Sequence, residues 1–239
     1  MIVQGVTLNG VTVVDTLPVV SSGLQLYYDP GNSSSYTSGT TIYDLSGLGH
    51  NGTVSGSPTD AGNWFTMTGT QYVQTPNMST WWSGWQNTIE VWLNPSAVGV
   101  GWTVSDSTNY NGGYHLTGDE FYSVGPTVIN NTMIWTSGGI VRTGGGTTPL
   151  NNWYQIVQSY NGSNSVTAYV NGVSAGATSV TWSTPSVGWY LTFGPGNGTY
   201  YATSAAFQGK LGIMRVYDRQ LSAAEVTQNY NANKGKYGL

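Results

Sequence analysis

Short apolar runs separated by turn residues dominate this chain. Val3, Val6, Leu8, Val11, Val13 and Val14 alternate loosely with polar residues around Asn9-Gly10. Asn-Gly between two β-prone runs predicts a hairpin. Pro18 and Ser21-Ser22-Gly23 then read as a linker, so residues 1–22 form an arm ahead of a main domain spanning 23–239. In Asn87 to Pro95 the positions alternate: Ile89, Val91 and Leu93 share one strand face, Glu90 and Trp92 the other. Trp64 to Met67 and Tyr72-Val73 flank Thr68-Gly69-Thr70 and predict another hairpin, as do Asn161-Gly162 and Asn171-Gly172 within Asn151 to Gly172. Strand candidates in the loop-rich middle are 114–116, 120–124 and 133–135.

Helical signals occur once. After a strand at Lys210 to Asp218, Ser222 and Glu225 have the spacing of a capping box, with Leu221 and Val226 as its hydrophobic staple. Val226 and Tyr230 fall on one helix face, and Gly235 marks a stop. One short C-terminal helix after many strands predicts an all-β fold.

Composition sharpens this picture. Only 7% of the 239 residues are charged, so the surface is built from amides, hydroxyls and glycine. Net charge is −4 and the six basic residues are scattered, which leaves no nucleic-acid footprint. Cysteine is absent and His50 and His115 are the only histidines, which removes disulfides, Cys-ligated zinc and multi-His metal centres. No apolar run approaches the roughly 20 residues of a membrane span, and the N-terminus lacks the pattern of a signal peptide.

The closing stretch carries a resemblance. Phe207, Gly209, Leu211, Met214, Arg215, Val216, Tyr217, Asp218, Arg219, Leu221, Ser222 and Glu225 spell F-x-G-x-[LI]-x-x-[VIM]-R-[VI]-Y-[DN]-R-x-L-S-x-x-E. This resembles the end of laminin-G-like, concanavalin A-like lectin/glucanase domains. Asn87 to Pro95 is similar to the same family's "FTIxxWI(K/N)P" strand. Trp153, Tyr160, Gly162, Tyr169, Val170, Asn171 and Gly172 match its Trp-to-Asn-Gly hairpin. The resemblance implies a two-sheet antiparallel jelly-roll sandwich. Asp44 to Thr53, reading DLSGLGHNGT, resembles a subgroup found in virus and bacteriophage structural proteins. That subgroup implies a non-enzymatic virion protein, a capsid decoration (cement) protein or head fibre. It would be made in the host cytoplasm and displayed on the virion surface. The expected partners are further copies of the chain, a trimer by family habit, and the major capsid protein or another virion protein through residues 1–22.

Three chemistries are conceivable on such a chain. A retaining glycosidase needs two carboxylates about 5–5.5 Å apart, and no pair spaced i, i+2 occurs, since Trp92 follows Glu90 at that spacing. The expectation is therefore no enzyme and no catalytic residue. Calcium needs six to eight oxygens. Asp29, Asp44 and Asp218 are weak calcium candidates, with turn and cap hydrogen bonding as the competing reading. Leu211-Gly212-Ile213 lacks the acid that many family members carry there. Saccharide binding is the third. Trp81, Trp82, Trp85, Trp189, Tyr200 and Tyr201 are candidates for a carbohydrate site or an interface, because Trp81-Trp82-Ser83-Gly84-Trp85 cannot bury every ring on one strand face. A glycan-binding adhesion module is the alternative function.

Overall fold

A computed structural model describes residues 6–8, 11–13, 18–78, 81, 86–96, 104–108, 125–129, 132–137, 141–147, 150–179, 189–194 and 207–239. The strands before residue 18 and those between 104 and 147 are described by their backbones alone. Antiparallel sheets dominate, as the alternation predicts. The larger has eight strands and runs Val173–Ser179, Ser165–Val170, Tyr154–Asn161, Gln86–Pro95, Gln208–Tyr217, Phe65–Thr68, Thr59–Asp60. Leu24–Tyr28 also pairs with Gln208–Tyr217. A five-stranded sheet runs Val104–Thr108, Trp189–Phe193, Tyr72–Gln74, Gly52–Ser55, Thr41–Ile42. Gly125–Ile129, Thr132–Ser137 and Val141–Thr147 make a three-stranded sheet; the strand candidate at 133–135 lies in its middle strand, while 114–116 and 120–124 lie outside the described residues.

The main core lies between the two large sheets. Leu26, Phe65, Ile89, Val91, Leu93 and Ile156 from one meet Ile42, Val54, Val73, Leu191 and Phe193 from the other, all essentially buried. The motif glycine Gly209 allows the central pairing. Its φ is +142°, and an added Cβ would stand 2.2 Å from the Asn94 carbonyl oxygen, closer than any side chain tolerates.

Local signals held to different degrees. Val6–Leu8 and Val11–Val13 pair as a hairpin, in register Val6 with Val13 and Leu8 with Val11. Asn171-Gly172 is a tight turn with positive φ at both residues, between Val170 and Val173. The Asn161-Gly162 turn is longer: Tyr160 pairs with Val166, and the Asn161 side chain accepts from the backbone amides of Ser163, Asn164 and Ser165. The Thr68-Gly69-Thr70 turn is no hairpin. Phe65–Thr68 joins the eight-stranded sheet and Tyr72–Gln74 the five-stranded one. Here the chain crosses between layers, and the Gln71 amide oxygen holds the corner by accepting from the Thr68 and Thr70 amides.

The helix, Ala223–Asn233, begins at the predicted capping box: the Ser222 hydroxyl accepts from the Glu225 amide, and the Glu225 carboxylate accepts from the Ser222 amide. Leu221 and Val226 pack in one small core with Val20, Val157, Tyr169 and Tyr217. The stop is Gly238 rather than Gly235, because a 3-10 turn over Lys234–Tyr237 extends the helix to a left-handed cap at φ +75°. That extra turn delivers Tyr237 into the fold, where its hydroxyl accepts from the Ile213 amide at 2.9 Å. Pro18 to Ser22 is no free linker either. Val20 is buried; its amide donates to Asn229 Oδ1 at 2.8 Å, and its carbonyl accepts from the Tyr217 hydroxyl at 3.1 Å. Gln228 donates to the Pro18 carbonyl and Arg219 to that of Ser22.

Candidate functional site

The strand Gln86–Pro95 places Glu90 on the outer face of the eight-stranded sheet, under the helix. Strand alternation puts Thr88 and Trp92 beside it, and Arg215 on Gln208–Tyr217 is its cross-strand neighbour. Glu90 and Arg215 are both fully buried. Arg215 Nη1 donates to Glu90 Oε1 at 2.9 Å; Trp92 Nε1 and Gln155 Nε2 each donate to the same oxygen at 3.0 Å; Asn229 Nδ2 donates to Oε2 at 2.8 Å. The second terminal nitrogen of the arginine, Nη2, donates to Asn233 Oδ1 at 3.1 Å, and the guanidinium lies 4.3 Å from the centre of the Tyr27 ring. Burial works against the arginine's charge, but the Glu90 carboxylate, with the Tyr27 and Tyr217 side chains adding to it, more than offsets this and holds it firmly protonated. Burial and then Glu90 push the Tyr217 hydroxyl far above its ordinary range. Four donors converge on one sealed carboxylate. It is sealed from solvent, and among the described residues no second acid stands beside it as glycoside hydrolysis requires; its chemistry is that of a buried ion pair holding helix to sheet.

Farther along the same face lies a row of rings. Trp64 and Trp153 centroids are 5.4 Å apart, Trp153 and Tyr237 4.2 Å, Tyr237 and Trp92 4.7 Å, Trp92 and Tyr230 5.8 Å. The middle of the row is buried, while Trp64 and Tyr230 at its ends are half-buried. Cations sit over it. Lys210 Nζ is 4.8 Å from the Trp64 ring centre, and Lys234 Nζ is 5.6 Å from that of Tyr230. Among the described residues neither of these ammonium groups meets a carboxylate. Lys236, by contrast, pairs with Asp29.

The sequence-predicted candidates fall elsewhere. Trp82, Trp85, Tyr200 and Tyr201 lie outside the described residues, and Trp189, at the start of a strand pairing with Val104–Thr108, is described by its backbone only. Trp81 is half-buried, packs against the main core, and stacks on the His50 ring at 4.0 Å and 18°. His50 Nδ1 donates to the Gln25 carbonyl at 2.7 Å, which fixes the tautomer with the proton on Nδ1.

The three aspartates each have local partners. Asp44 accepts from the Tyr27, Ser46 and His50 amides and from the Ser46 hydroxyl, so it organises the 44–51 turn. Asp29 accepts from the Gly31 amide, and Asp218 from Gln25 Nε2. Among the described residues no group of three or more His, Asp or Glu side chains could hold a metal ion.

Sequence reasoning missed the ring row because its members come from four separate segments. One signal was available: five of the six basic residues fall between Lys210 and Lys236, so they are less scattered than they first read.

Comparisons place the fold. No curated protein sequence matches the chain. Among solved structures, Trypanosoma rangeli sialidase in complex with sialic acid aligns over 98% of this chain and 36% of its own, at 14% identity and a TM-score of 0.69. The chain thus spans about a third of the sialidases' length. Domain 4 of AbnA, an extracellular arabinanase from Geobacillus stearothermophilus, in complex with arabinotriose, aligns over 87% of this chain and 98% of its own, at 15% identity and a TM-score of 0.62. The binding domain of Paraclostridial Mosquitocidal Protein 1 aligns over 88% and 52%, at 15% identity and a TM-score of 0.57. The sequence profile of the concanavalin A-like lectin/glucanases superfamily matches residues 66–227, most of the chain and both motif strands, and the chain belongs to that superfamily.

Proposed function

We propose that this protein is a non-catalytic glycan-binding module used for adhesion. The observation that carries the reading is the fate of Glu90. The acid on the family's long strand is fully buried and accepts from Arg215, Trp92, Gln155 and Asn229. What the fold then offers a ligand is aromatic rings on a surface built from amides and hydroxyls, the chemistry that meets sugar faces and sugar hydroxyls. The likeness to an arabinotriose-bound domain along nearly that domain's whole length supports the same reading. A glycan array probed with the full chain tests it. Binding to at least one saccharide class, with no product released from that saccharide, is the expected result; no binding on the array, or turnover of the bound glycan, overturns it.

A second reading makes the module part of a virus particle, as a capsid decoration or head-fibre protein. The N-terminal hairpin favours it. Val6–Leu8 and Val11–Val13 pair with each other and, among the described residues, with no other strand. A two-stranded hairpin alone is marginal in water, so a larger assembly is a natural cover. The copy number in purified particles, against the major shell protein, tests this: hundreds of copies mean a shell component, a few mean a fibre, and absence removes the reading.

A further inference from the structure

Trp64 stands at the end of the turn 60–64, where the Ala61 amide donates to the Trp64 carbonyl and the Asp60 carboxylate accepts from the Gly62 amide. Lys210 lies across the sheet from Thr66, two residues along the same strand face, which brings its ammonium over the indole. Lys236 reaches the same corner from the C-terminal 3-10 turn. A Cβ on Gly31 would stand 2.5 Å from Lys236 Nζ and 2.8 Å from the Asn63 Cα, so Gly31 has the ammonium on one side and the turn before Trp64 on the other. Asn63 and Asn152 expose amides nearby in sequence to the two tryptophans. The corner therefore gathers a half-buried indole, one ammonium without a carboxylate among the described residues and one paired ammonium, on a chain with six basic residues and a net charge of −4.

A positive charge over an indole without a carboxylate partner is a weak contact at an exposed site. A lysine's ammonium on its flexible stem exchanges it readily for a charged hydrogen bond, which is roughly twice as strong as a neutral one. We infer that the Trp64–Lys210 corner binds an acidic saccharide, its ring laid against the indole and its carboxylate or sulfate on Lys210, with Lys236 adding positive field. This rests on the glycan-binding reading and names its ligand class. Asp60, at the start of the same turn, opposes the bound anion and sets an upper limit on its affinity.

The test is titration calorimetry of the full chain with three probes of similar length: oligogalacturonate, a heparin-derived oligosaccharide, and a neutral arabino-oligosaccharide. The acidic probes should bind at least tenfold tighter than the neutral one, and their affinity should fall as salt is raised. Which acidic probe wins decides between carboxylate and sulfate. Lys210→Gln should weaken the acidic probe about tenfold and leave the neutral one unchanged. Lys210→Arg should keep most of the affinity. Asp60→Asn should strengthen acidic binding, a gain that a purely structural role would not produce. Equal binding of acidic and neutral probes, or acidic binding indifferent to Lys210→Gln, overturns the inference alone. Binding of none of the three overturns it too, and an empty glycan array besides would take the glycan-binding reading with it.

Discussion

The two faces of the strand Gln86–Pro95 solve the same burial problem differently. The inner face presents Ile89, Val91 and Leu93 to the opposite sheet and satisfies nothing but packing. The outer face presents Thr88, Glu90, Trp92 and Asn94, all nearly inaccessible, to a helix and a segment from the chain's other end. An apolar face tolerates any partner that fills the volume. A polar face demands specific partners, because each buried donor or acceptor left alone costs about 1–3 kcal/mol. The outer face thus specifies which helix docks and where. The helix answers with Asn229 and Asn233, and residues 18–22 answer with the backbone of Val20.

The largest effect should come from breaking the outer face. Glu90→Gln leaves Arg215 charged and buried without its counter-ion and should cost about 3–5 kcal/mol in urea unfolding. Joint replacement of Glu90 and Arg215 by Leu should recover part of this but not all, because Trp92 Nε1 and Asn229 Nδ2 lose their acceptor. Full recovery would mean that the network is dispensable and that the two faces do not differ in kind. On the inner face, Leu93→Ala should cost about 3 kcal/mol through lost burial and a residual cavity. Repacking with Leu93→Met should restore most of that, which no substitution at Glu90 is expected to do.

Asn229→Ala sharpens the comparison at the seam. It strips an acceptor from the Val20 amide and a donor from Glu90, and should cost about 2 kcal/mol. Limited proteolysis should then release the chain ahead of Gly23 before the domain itself is cut. Unchanged protection of Pro18 to Ser22 would show that packing in the Val20 cluster, rather than these hydrogen bonds, holds the segment.

The inner face was legible in the sequence and the outer one only in part. Alternation at period two assigns Ile89, Val91 and Leu93 without knowledge of any partner, and it separates Glu90 and Trp92 from them. Nothing local says that Glu90 meets Arg215 across 125 residues, or that Val20 meets Asn229 across 209. An asparagine on a helix ordinarily reads as solvated, so Asn229 and Asn233 gave no sign of burial. The layer crossing at 68–71 failed for a related reason: two short strands about a Thr-Gly-Thr turn look alike whether they pair with each other or part into different sheets. The ring row escaped because Trp64, Trp92, Trp153, Tyr230 and Tyr237 share no sequence window. The helix start, by contrast, is a four-residue device and was read in full from Ser222 and Glu225.

That device supplies the smaller effects. Ser222→Ala should cost about 1 kcal/mol, the usual worth of an N-cap. Glu225 adds a pH dependence. Arg219 donates to its carboxylate with two nitrogens, at 2.6 and 3.1 Å, and the Ser222 amide and hydroxyl donate as well. Arg219 foremost, then Ser222, holds the Glu225 carboxyl at about 2, against an ordinary 4.5. A lowered value means that the folded state favours the ionised form, so the stabilisation is complete above about 4.5 and disappears as pH falls towards about 2. Both partners are about a quarter exposed, and solvent screening limits the contribution to about 1 kcal/mol. Other carboxylates titrate across the same range, so the measurable quantity is a difference. The stability gap between the protein and its Glu225→Gln variant should be widest near neutrality and should narrow between pH 4.5 and 2. A gap that stays constant across that interval would mean that the substituted amide caps the helix as well as the carboxylate does, and that the Arg219 pair adds no net stability. Raised salt gives an independent check within the comparison of buried and surface charge, because it should shrink the Glu225–Arg219 contribution and leave that of the sealed Glu90–Arg215 pair nearly untouched.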